Sequence, residues 1–129
     1  MKPSGSDIGL FLLRVSFSGM MILQHGWKKL VNFSSIAPKF PDPLAVGSQL
    51  SLALAVLGEV IFPVMIIVGL RTRLAAVPAA ITMAVAAFLV HAGDPLKERE
   101  MALVYLFAFV AIAFLGPGRI SWDQFRKDQ

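Results

Sequence analysis

Polar residues fall so far apart along this chain that apolar runs of membrane-crossing length lie between them. A bilayer core about 30 Å thick requires roughly 20 consecutive helical residues. Residues 8–30, 49–70 and 73–91 meet that length, and residues 100–115 approach it. The last run is short and is expected to borrow length from its flanks. The pattern predicts an all-α protein, a transmembrane four-helix bundle forming a single domain over residues 1–129.

The intervening segments fit this reading. Residues 33–47 hold Pro38, Pro41 and Pro43, which forbid one continuous helix and make this the longest loop. Leu70-Arg71-Thr72-Arg73 is a tight turn, so spans two and three are expected to be antiparallel neighbours. Gly93-Asp94-Pro95 breaks the chain within a second turn expected over residues 92–99, and Gly116-Pro117-Gly118 ends span four. The first run has little basic sequence before it and no small-residue cleavage pattern after it, so it reads as a retained helix, not a signal peptide.

An even number of spans puts both termini on one side. That side carries Lys2, Arg71, Arg73, Arg119, Arg126 and Lys127, against Lys28, Lys29, Lys39, Lys97 and Arg99 on the other. Six cations against five, with Arg14 able to snorkel inward, point to cytoplasmic termini.

Polar residues inside the spans are periodic. Arg14, Ser18, Met21, His25 and Lys28 follow one another at steps of 4, 3, 4 and 3, a single helical face. Charges within a span are costly and turn toward the bundle interior, so this stripe is expected to face the other helices. Span two contributes Glu59, with Pro63 four residues later unable to donate to the Glu59 carbonyl. At ~1.5 Å per residue, Arg14 lies roughly 9 Å deep, Glu59 roughly 16 Å and His25 roughly 25 Å. Glu59 is therefore expected to pair with Arg14, a structural counter-ion, or with His25. His91 ends span three, Glu100 opens span four, and Tyr105 lies about a turn deeper. His25, Lys28, Glu59, His91, Glu100 and Tyr105 are the expected lining of a polar pocket in the outer half of the bundle. His25 and Glu59 are its candidate catalytic groups.

Composition narrows the chemistry. The 129 residues are 57% hydrophobic and 16% charged, with 12 Lys and Arg against 8 Asp and Glu. Mean hydropathy is +0.72. A soluble domain this small could not bury so much apolar surface, so lipid is an expected partner. The net charge of +4 is spread between the runs and reads as topology and anionic-lipid contact, not as a nucleic-acid surface. There is no cysteine, which excludes disulfides, iron–sulfur ligation and thiol redox chemistry by this chain. No metal site is expected.

Several ordered motifs resemble the DoxX family: His25-Gly26 with Lys28 and Lys29, Gly58-Glu59, Gly69-Leu70-Arg71-Thr72-Arg73-Leu74-Ala75-Ala76, His91, Glu100, and Gly116-Pro117-Gly118-Arg119-Ile120-Ser121-Trp122-Asp123. The resemblance covers almost the whole chain. It implies a four-span protein of the bacterial inner membrane, linked to membrane oxidoreductase complexes and oxidative-stress defence. Three functions follow as expectations. The first is a quinone-linked oxidoreductase subunit, with His25 and Glu59 serving the two carbonyls and the proton path. The second is a non-catalytic scaffold that docks a redox partner. The third is a proton or small-solute carrier, which with four spans would act as a homo-oligomer.

Overall fold

The computed structural model describes residues 2–129, and among them only helices form regular structure. Four long helices make the body: α1 (Gly5–Val31), α3 (Ser48–Val68), α4 (Thr72–Val90) and α5 (Leu96–Leu115). Between α1 and α3 lies the short α2 (Phe33–Ile36), which runs into a 3-10 turn at Ala37–Lys39. A terminal helix, α6 (Trp122–Lys127), closes the chain.

The first three long helices are long and apolar enough to cross a membrane. Helix α5 has 20 residues, but Lys97, Glu98, Arg99 and Glu100 occupy its first turn. It starts earlier than residue 100 because the loop ends at Pro95. That residue takes the N-cap at φ −58°, and the charged residues after it are good helix formers.

Helices α4 and α5 share the most extensive interface. Ala75, Ala76, Ala79 and Ala80 on α4 keep the axes close, and Phe109 and Ile112 of α5 fill the space beside them. Met21 of α1 and Ile66 of α3 complete this core. A second, smaller cluster of Ala37, Leu52, Val56 and Val60 anchors the loop to α3. The outward faces are apolar: Leu12 is 60%, Leu23 67%, Phe107 66% and Phe114 78% exposed. That surface requires lipid as its solvent.

Helix ends are capped by local chemistry. Ser4 and Asp7 form a capping box at the start of α1. Gly69, at φ +80°, ends α3 with a Schellman pattern in which its own N–H donates to Ile66 and that of Leu70 donates to Met65. At the start of α3, Asp42 accepts from the N–H groups of Val46 and Gly47 and from the Ser51 hydroxyl.

Each of α1, α3 and α4 contains one π-turn, at Ile22–Gly26, Leu57–Ile61 and Ala86–Val90. A π-turn inserts one residue and rotates everything after it by about 100° relative to the preceding helix. This sets the site geometry.

Candidate functional site

The π-turns of α1 and α3 press against each other. Gly26 is buried, and a Cβ there would sit 2.5 Å from the Glu59 carbonyl oxygen and 2.5 Å from a Val60 methyl carbon. On the far side of the same turn, Gly58 is in contact with Thr82 of α4, again with no room for a Cβ. Glu59 is thus held between two glycine-mediated helix contacts. The carbonyl that Pro63 cannot serve faces Gly26 of α1, where a Cα–H can approach it.

Glu59 is 4% exposed. Its partner is Lys29, whose ammonium lies 2.6 Å from Oε1 and 2.8 Å from Oε2. The expected pairing with Arg14 or His25 does not form. The inserted residue in the α1 π-turn is the reason. Arg14, Ser18 and Met21 are buried on one face as the 4-and-3 spacing predicts. Beyond the insertion that face continues through Gly26 and Lys29 instead of His25 and Lys28. Lys28 lies exposed.

Arg14 is 1% exposed and its only hydrogen-bond acceptors are carbonyls. Its Nε donates to Ile66 and its Nη2 to Ile67, at the C-terminal end of α3. Its Nη1 donates to Pro117 and Ile120 in the turn after α5. The guanidinium therefore ties two helix ends together and is not within ion-pair distance of any carboxylate among the described residues. The same end is fastened by Asp123, which accepts from the backbone N–H groups of Arg71 and Thr72 while its own N–H donates to Gly69. Asp7 accepts from the N–H of Arg119. The glycine-rich 116–123 segment and the 69–73 turn are thus two halves of one clasp.

The remaining expected pocket residues divide. His25 is half-buried, its ring edge-on to Tyr105 with centroids 5.5 Å apart, and its Nε2 is buried with no protein partner. Tyr105 is buried against Phe17 and Phe109 as well. His91 follows the α4 π-turn and pairs through Nδ1 with Asp94 at 3.0 Å. Glu100 is exposed. Arg99, next to it, donates to the Ala87 carbonyl inside the α4 π-turn.

A cavity of about 360 Å³ opens between α3 and α4 beneath the 40–44 stretch of the loop. Leu54, Phe62, Ile81 and Val85 are among its apolar walls. Lys29 and Glu59 are its charged residues, and His91 also lines it. His25, Lys28, Glu100 and Tyr105 do not line it. Lys29 also sits over the Phe40 ring, 5.7 Å from its centroid. An ammonium has three N–H donors, so two bonds to Glu59 leave one for another acceptor. Lys29 is the residue that the spacing along α1 misses. Nothing in apolar periodicity marks a π-turn; the usable signal is Gly26, three residues before it, where two backbones meet.

Long apolar helices and an apolar exterior define an integral membrane protein. The DoxX family model matches residues 9–92, and the chain belongs to the DoxX family. An uncharacterized protein of Haemophilus influenzae is 27% identical over 135 residues, covering 98% of this chain and 89% of that one. No solved structure matches.

Proposed function

We propose that this protein is a four-span subunit of a bacterial inner-membrane oxidoreductase or oxidative-stress complex, holding a quinone head group in the cavity between α3 and α4. The observation that carries the reading is the pair of buried Glu59 and partly buried Lys29 in an apolar-walled space, with one ammonium donor left over. The volume falls at the lower end of those of small-molecule sites, and a few placed polar groups in an apolar wall suit a lipophilic ligand. The donor set fits a quinone: Lys29 would hold one carbonyl oxygen, and Glu59 orients that ammonium.

A bound quinone supplies two-electron, two-proton chemistry. Lys29, Glu59 and half-exposed His91 all line the cavity, and they are the proposed route for those protons. Electrons come from a redox-protein partner. Helix α5 serves as the fourth crossing: residues 101–115 give about 22 Å of apolar helix, and the charged turn before them lies at the interface. Both termini are then cytoplasmic, on the side of the clasp.

Solvent extraction of the protein purified in mild detergent tests this reading. Quinone is expected in the wild type at a fixed molar ratio and is expected to fall sharply in Lys29→Met. Wild-type protein that neither retains nor takes up quinone would remove the reading.

A further inference from the structure

The opposite end of the molecule carries a second groove, of about 340 Å³, lined by Phe11 of α1, Val68 at the end of α3, Ile120, and Trp122 and Phe125 of α6, with Arg14 beside them. Its walls are apolar and it lies open to the surroundings. Trp122 and Phe125 stack with ring centroids 5.2 Å apart, and both are about half exposed. Paired amphipathic and aromatic rings of this kind settle at the headgroup level of a bilayer.

The charge at this end is unbalanced. Lys2, Arg14, Arg71, Arg73, Arg119, Arg126 and Lys127 stand against Asp7, Asp123 and Asp128. Asp7 and Asp123 are engaged with backbone N–H groups, which limits what they can offer outside cations. Arg14 is a buried cation whose hydrogen-bond acceptors are all carbonyls, with the Phe11 ring 5.7 Å from its guanidinium carbon and Asp123 acting on it only from beyond ion-pair distance. Four of its five N–H groups are used, so one Nη2 N–H has no acceptor among the described residues. Arg126 and Lys127 are exposed on α6, the helix that also supplies the aromatic pair.

We propose that this groove binds one acyl chain of an anionic phospholipid, whose phosphate is drawn by Arg14, Arg126 and Lys127. The lipid adds a negative charge nearer to Arg14 than Asp123, which is outside ion-pair distance, and it fixes the clasp end of the protein at the membrane surface. Zwitterionic lipid fits the apolar walls but lacks the charge.

The test is native mass spectrometry of the full chain in mild detergent, with phosphatidylglycerol and phosphatidylcholine in equal amounts. Wild type is expected to retain phosphatidylglycerol preferentially, by about fivefold for each cation engaged. Val68→Trp fills the groove from an exposed position and is expected to abolish the preference. Phe125→Ser, on the exposed face of α6, is expected to do the same without touching the core. Equal retention of the two lipids by wild type would overturn the proposal. So would a preference that survives both groove variants and disappears only in Arg126→Gln/Lys127→Gln, because surface charge alone would then explain it.

Discussion

Lys29 of α1 and Glu59 of α3 meet at 2.6 Å beside the contact that Gly26 makes between the π-turns of those helices. The pair depends on backbone geometry as much as on charge. Without the inserted residue in Ile22–Gly26, Lys28 would occupy the inward position.

Removing one member of the pair leaves the other charge poorly compensated at the cavity floor. Glu59→Gln and Lys29→Met should each lower stability by about 1–3 kcal/mol, less than for a fully buried pair because Lys29 is partly exposed. The double variant should lose much less than the sum of the two. Thermal unfolding in detergent, arranged as a double-mutant cycle, measures the coupling; additive losses would mean the two charges do not act as a pair.

Gly26→Ala places a Cβ against the Glu59 carbonyl and Val60. The helices must separate, at a cost of about 1–3 kcal/mol. Gly19→Ala is the control, because a Cβ there meets nothing within 4 Å. It should be neutral or slightly stabilising, since alanine favours helix by about 1 kcal/mol. Melting temperatures of the two variants should therefore move in opposite directions.

Arg14→Lys retains the charge and loses the planar fork. A lysine cannot reach the carbonyls of Ile66, Ile67, Pro117 and Ile120 together, so some are left unsatisfied. A loss of about 2 kcal/mol or more is expected, with earlier proteolytic cleavage in residues 116–123. Asp123→Asn should weaken the same clasp by removing charge from the cap on Arg71 and Thr72.

Asp42 gives a pH dependence outside the spans. The Ser51 hydroxyl chiefly, helped by the Val46 and Gly47 N–H groups, holds its carboxyl below the usual value of 3.8, although desolvation opposes them. A folded-state value below the unfolded one means the stabilisation is present above about pH 4 and is lost as pH falls through the folded value. Asp42→Asn should flatten the stability profile below pH 4 and leave its slope between pH 6 and 8 unchanged. Urea titration at several pH values measures this.

The long helices could be read from the chain because lipid-facing positions tolerate unbroken apolar sequence. The expected span at residues 49–70 and the observed Ser48–Val68 differ by one residue at the start and by two at the end, where Gly69 turns the chain. The inward stripe was readable as far as Met21 and misread beyond it, because hydrophobic period carries no mark of a π-turn. Arg14 was recognised as buried, but its carbonyl acceptors lie 52 to 106 residues away and follow from tertiary packing alone. Glu100 falls outside the site because it lies on the exposed side of the first turn of α5, whereas Arg99 beside it turns in to Ala87.

The third donor of Lys29 is proposed to serve a ligand in the α3–α4 cavity. Affinity for a short-chain quinone, measured by calorimetry on wild type, Lys29→Met and the exposed neighbour variant Lys28→Met, tests it most directly. Tight binding by wild type and Lys28→Met, with at least about a tenfold loss in Lys29→Met for one charge-assisted hydrogen bond, is the predicted result. Equal affinity in all three proteins would contradict it.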